Sequence, residues 1–308
     1  MHNHLDRNLI GYGAETPDPQ WPGEARIAVS FVLNYEEGGE NTILNGDAGS
    51  EVRLTEVSGM TPVVGGRDLS TETLFEYGSR AGFWRILRMF AERNMRFTSW
   101  AVGRALELNP AAGKAMAAAG HEVASHGYRW ISYRDFTLEQ ELDHIARAVK
   151  AIVDSAGTPP VGWYTGLFGM NTLKAVVKHG GFLYSSDAYN DDLPYWVKVA
   201  TGKGDGAPHL IIPYTLEVND MKFAVPPGFT AGDGWLQAMK DTFDYLYAEG
   251  ARAPKMMSIG IHCRLAGRPS RAATLARFLD YVASKPRVWV ATREEIARHW
   301  MKVHPATN

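Results

Sequence analysis

The feature that most constrains this chain is a series of short apolar segments without polar alternation, most of them followed by a stretch of helical periodicity. The first, "RIAVSFVLNY" (26–35), is typical. A strand with one wet face alternates apolar and polar residues. A strand that is apolar throughout must be covered on both faces, the situation of a parallel sheet flanked by helices. Further strands are expected at 95–103, 121–128, 160–166, 182–189, 209–217, 255–262 and 287–292. Helices are expected at 83–94, 109–120, 137–157, 234–250 and 272–284, the third opening on Thr137 in a capping-box pattern. The alternation predicts an α/β fold with a parallel sheet, open or closed as a barrel. No repeat, low-complexity tract or charge run interrupts it, so one domain over residues 1–308 is expected. A Gly- and turn-rich insertion at about 40–75 follows the first strand.

Composition narrows the partners. An apolar fraction of 45% with nine Trp and thirteen Tyr supports a large core. A net charge of −2 gives no reason to expect a nucleic acid or an anionic membrane surface. No segment reaches the roughly 18 apolar residues of a membrane span, and "MHNHLDRNLIGYG" lacks the apolar core of a signal peptide. One cysteine, Cys263, allows no intrachain disulfide and fits a reducing compartment. A cytoplasmic protein acting on a small molecule is expected, as a homo-oligomer, dimer or tetramer, by the habit of such folds.

Sites in parallel α/β folds lie at the carboxyl ends of the strands. Those ends carry Asn34-Tyr35-Glu36-Glu37, Ser125-His126, Trp163-Tyr164, Asp187, Asp191-Asp192 and His262-Cys263-Arg264. Each has a bland reading beside the functional one. The acid pair suits a solvated turn as well as a site, and a His after an apolar strand is often a satisfied core residue. Trp130, Trp163 and Tyr164 suit either the core or a small flat pocket. Asp187 and Asp191 suit a turn before Pro194 or a ligand contact. Arg264 and Arg268 could clamp an anionic group or pair with acids. His121 reads as structural, and Cys263 as packing.

The order of "NYEEG", "NMRFTSWAVGRALELNP", "AAAGHEVASHGYRW", "PVGWYTG", "YSSD" and "IGIHC" resembles the polysaccharide deacetylase (NodB-homology) superfamily over roughly residues 25–295. The resemblance implies a distorted (β/α) barrel with about seven parallel strands. That superfamily carries two Asp after its first strand and a His-x-x-x-His metal pair. Here Glu36 and Glu37 stand in the first place, and His126 is followed four residues on by Trp130, which cannot ligate zinc. Tyr164 replaces the usual strand-end Arg. These departures, with "LNYEEGGE", "SHGYRW", "DDLPYW", "NDM" and "HCRL", resemble the metal-independent bacterial allantoinases of the PuuE type. What the resemblance implies is hydrolysis of (S)-allantoin to allantoate in purine catabolism, with neither metal nor cofactor. Glu36 would be the base, His262 the general acid and His126 a polar partner. Asn34, Glu37, Trp130, Trp163, Tyr164, Asp187 and Arg264 would surround the substrate. Leu167 stands where such an enzyme is expected to carry a basic residue, which keeps another cyclic amide or imide open as substrate. An N-deacetylase of sugars or peptidoglycan and a binding module without catalysis are the remaining alternatives.

Overall fold

The computed structural model describes residues 1–57, 59–202 and 206–306. β1 (His2–Asn3) and β2 (Ile27–Tyr35) precede the insertion, which runs into α1 (Leu69–Tyr77); a wide π turn over Gly78–Gly82 and α2 (Phe83–Ala91) follow it. Then come β3 (Thr98–Ala101), α3 (Gly103–Leu108), α4 (Pro110–Ala118), β4 (Glu122–Ser125), α5 (Leu138–Ala156) and β5 (Gly162–Trp163). They are followed by α6 (Thr172–His179), β6 (Tyr184–Ser185), β7 (Tyr195–Val199), β8 (Ala207–Ile211) and α7 (Gly232–Glu249). The last elements are β9 (Lys255–His262), α8 (Pro269–Ala283), β10 (Val288–Val290) and α9 (Arg293–Val303). No helix among the described residues is long and apolar enough to cross a membrane.

Seven strands run parallel in the order β9-β2-β3-β4-β5-β6-β8. Every residue of β2 and β9 is buried, the physical reason neither alternates. β10 pairs with the first half of β2, on the edge whose second half takes β3. Beyond β8 lie the antiparallel β7 and the short β1, which the sequence pattern did not single out. β5 and β6 are shorter than expected because the Asp187 carboxylate accepts the N–H groups of Thr165 and Gly166, turning the chain out of the ladder.

The register sets the strand ends level. Asn34 lies opposite His262, Tyr35 opposite Ala101, Ala101 opposite Ser125, Ser125 opposite Trp163 and Trp163 opposite Ser185. The residues just past these ends therefore face a common space. Outside the wall, Phe90 of α2 and Phe278 of α8 pack edge-on against Phe31 of β2, at 5.3 and 6.2 Å between ring centres. All three are fully buried. Phe90→Ala would cost about 3–5 kcal/mol, the transfer loss plus a cavity.

Among the described residues no ladder joins β8 to β9. A side chain bridges that seam instead. Arg293, fully buried at the start of α9, donates to Ser258 Oγ of β9, to Ser186 Oγ beyond β6, and to the carbonyls of Ile212 and Pro213 beyond β8. The insertion folds over the carboxyl ends. Arg129 fastens its first part through Gly39 O, Glu40 O and Asp47. Arg264 Nε holds Leu54 O at 3.1 Å, and Arg268 and Arg271 hold Glu56.

Candidate active site

Glu36 is the centre of the arrangement. It follows β2 directly and is buried at the floor of a cleft of about 460 Å³ formed at the strand ends. Its Oε1 accepts from His126 Nε2 at 3.1 Å and faces His262 Nε2 at 3.5 Å. Its Oε2 accepts from Arg264 Nη1 at 2.7 Å. His126 gives its other nitrogen, Nδ1, to Tyr164 O at 3.0 Å. His262 donates from Nδ1 to Asp220 Oδ1 at 2.6 Å, while Asp220 Oδ2 accepts the backbone N–H of His262 and of Ala266 at 2.8 and 2.9 Å. Asp220 thus fixes both the backbone and the tautomer of His262, leaving Nε2 for the cleft.

The electrostatics follow from burial and opposite charge. Burial alone would raise the Glu36 carboxyl, but His262, Arg264 and His126 outweigh it and hold Glu36 well below the usual carboxylate range. Burial would lower His262, but Glu36 and Asp220 more than offset this, so its imidazolium persists to higher pH than usual. Both shifts favour a carboxylate on Glu36 and an imidazolium on His262, face to face at 3.5 Å, an arrangement able to accept one proton and donate another.

Of the residues singled out by sequence, Asn34, Glu36, His126, Trp130, Tyr164 and His262 line the cleft, as does Leu167. Four others do not. Glu37 turns to the opposite side, accepts the Glu36 N–H at 3.0 Å, and lines a separate cavity of about 310 Å³. Burial pushes its carboxyl up to about 7, against Arg264 and with Glu36 adding repulsion. Trp163 packs with Ile145 and Val176 under the sheet. Asp187 braces the loop at Thr165 and Gly166, and burial pushes it up to about 6. Arg264 stands behind Glu36 and holds its carboxylate rather than lining the cleft. Arg268 is paired with Glu56 and stacked on Tyr77 at 3.7 Å. Cys263 is buried with Sγ toward Asn34 O, and His121 stacks on Phe97 at 3.6 Å.

Sequence reasoning quoted "NDM" without giving Asp220 or Met221 a role, and passed over Arg53, Tyr214 and the apolar wall of Leu54, Leu216 and Val225. Asp220 is 42 residues from His262, and no spacing rule links them. The signal available was the pair Asn219-Asp220, an acid placed after a residue that caps the short turn Asp220–Phe223.

Residues 70–180 match the family model described as "Polysaccharide deacetylase". A putative polysaccharide deacetylase of Schizosaccharomyces pombe is 48% identical over 314 residues, covering 97% of this chain and 98% of that protein. The chain belongs to the polysaccharide deacetylase family. Two solved structures, a probable polysaccharide deacetylase from Pseudomonas aeruginosa PAO1 and the PuuE allantoinase, each superpose with a TM-score of 0.94 at 53% identity. Each comparison covers 98% of this chain and 99% of the other. The fold is thus the NodB-type α/β architecture of that family, with the parallel strands expected.

The metal that the family resemblance implies is not served by these residues. Trp130 occupies the position of the second imidazole, and its ring packs near Arg53 and Arg264, at 4.7 and 5.2 Å. Both Glu36 oxygens are already engaged by His126 and Arg264. Among the described residues no three His, Cys, Asp or Glu side chains are grouped to hold an ion. Positive charge beside Glu36 is supplied by the Arg264 guanidinium.

Proposed function

We propose that the protein hydrolyses a small cyclic amide, with (S)-allantoin to allantoate as the leading reaction. The observation that carries this reading is Glu36 facing an Asp220-held His262 across a roofed cleft of small-molecule size. Likeness to the PuuE allantoinase over nearly the whole chain supports the choice of ring.

Ring opening adds water across a C–N bond. Glu36 Oε1 takes a proton from the water as its oxygen attacks the ring carbonyl. His262 Nε2 gives a proton to the ring nitrogen as the C–N bond breaks. Glu36 is then protonated and His262 neutral. Transfer of that proton across their 3.5 Å separation restores the starting pair. Arg264 and His126 hold the carboxylate in place, and Asp220 stabilises the charged imidazole. No metal is needed in this sequence.

A cyclic amide or imide without a ureido arm is the second reading, because Leu167 lines the cleft where a basic residue was expected. Deacetylation of a sugar polymer suits the names of the relatives, whereas a cleft of about 460 Å³, lined in part by Val52, Arg53, Leu54 and Val57, is of small-molecule size. Incubation with allantoin, hydantoin, succinimide and acetylated chitooligomers separates the three. Allantoate formation is expected. Acetate release from the oligomers with every ring intact would overturn the proposal.

A further inference from the structure

We infer that Arg53, carried on the insertion, reads an uncharged carbonyl on the exocyclic arm of the substrate. This rests on the cyclic-amide reading and names the part of the substrate that the cleft recognises. Among the described residues lining the cleft, Arg53 is the sole guanidinium or ammonium group. Arg264 and Arg268, the other candidates, are committed to Glu36 and Glu56.

Arg53 is held for such a task. Its Nε and Nη2 each donate to the Glu51 carboxylate at 3.0 Å, and its Cζ lies over the Trp130 ring, 4.7 Å from the ring centre. Glu51 is itself fixed, accepting the backbone N–H groups of Val52 and Arg53 and the Asn41 side-chain amide. Nη1 makes no hydrogen bond among the described residues, and 36% of the side chain remains exposed. A stacked, forked guanidinium with one free edge is suited to a planar acceptor. Glu51 offsets its charge, so the pair as a whole is neutral and favours a dipolar carbonyl over a carboxylate. Leu54, Leu167 and Leu216, which also line the cleft, offer a polar arm no competing partner. A ureido group fits both conditions.

The test compares allantoin, hydantoin and hydantoin-5-acetate on the wild type, Arg53→Met and Arg53→Lys, with kcat and KM measured separately. The ratio of kcat/KM for allantoin over hydantoin should fall by about 10- to 150-fold in Arg53→Met, the worth of a hydrogen bond to a charged group. The loss should lie mainly in KM, and Arg53→Lys should recover only part of it, because an ammonium cannot reproduce the fork. Equal loss on allantoin and hydantoin would reduce Arg53 to a structural role and overturn the inference. So would a wild type that prefers the carboxylate arm. A wild type that opens none of these rings would overturn the cyclic-amide reading itself.

Discussion

Asp220→Asn is the substitution that most directly tests how the site works. The Asp220 carboxylate accepts from His262 Nδ1, His262 N and Ala266 N, at 2.6, 2.8 and 2.9 Å. Asn can keep the two backbone donors on its single oxygen. Its amide then points N–H toward the imidazole, so Nδ1 loses its acceptor. A hydrogen bond between charged groups is worth about 1.5–3 kcal/mol, so the population of charged His262 should drop by about 10- to 150-fold. With Asp220 neutralised, burial pulls His262 downward against Glu36 alone. Two results follow. The turnover number should fall by about 10²–10⁴, as expected when a general acid is lost or held in the wrong tautomer. The alkaline limb of the rate profile, set by loss of the His262 proton, should move to lower pH. Initial rates between about pH 5 and 9, with melting curves to confirm a folded variant, read both. A profile of unchanged shape with less than a tenfold loss would refute His262 as the proton donor.

Glu36→Gln should lower turnover by about 10²–10⁴ with little change in KM, whereas Glu37→Gln, outside the cleft, should be mild; steady-state kinetics decide, and the reverse pattern would move the base to Glu37. Activity should survive exhaustive dialysis against chelator, with metal analysis giving well under one ion per chain, because Trp130 replaces a ligand and Arg264 already compensates Glu36. Glu141→Gln should stabilise the protein by up to about 3 kcal/mol at pH 8 and hardly at all near pH 4.5. Burial pushes Glu141 up to about 7, and its two carboxylate oxygens find no hydrogen-bond partner among the described residues, so wild-type stability falls as pH rises from its unfolded value near 4.5 to that point. Urea titrations at the two pH values measure this, and an equal effect at both would contradict it.

The parts of this molecule legible in the sequence are those that local pattern dictates. The unbroken apolar reading of residues 26–35 and 255–262 marks two strands buried on both faces, and both are long, fully covered strands. Because strand ends are level in a parallel sheet, the sequence pattern alone brings Glu36, His126 and His262 to one end of the fold. What sequence could not supply is direction and long-range partnership. Glu36 and Glu37 are adjacent, yet one faces the cleft and the other a cavity behind it. Arg264 has the chemistry of an anion clamp, but its anion is Glu36 itself. Asp187 looks like a ligand group and is used to bend the chain at Thr165 and Gly166. Asp220 and Arg53 come from segments without periodicity, where only the folded chain brings them to the site.

The seam bridged by Arg293 sets an order of events during synthesis. Residues 2–211 supply six of the seven parallel strands, so most of the wall can pair while the chain is still emerging. The seventh strand, β9, arrives near residue 262, but no ladder ties it to β8. The guanidinium that joins these two edges is not made until residue 293, so a nascent chain halted before that point would expose Ser186, Ser258 and the Ile212 carbonyl without their partner. Because His262 stands at the end of β9, the acid–base pair is assembled late as well. Glu36 itself gains Arg264 and His262 as partners only when β9 has been made and has paired with β2.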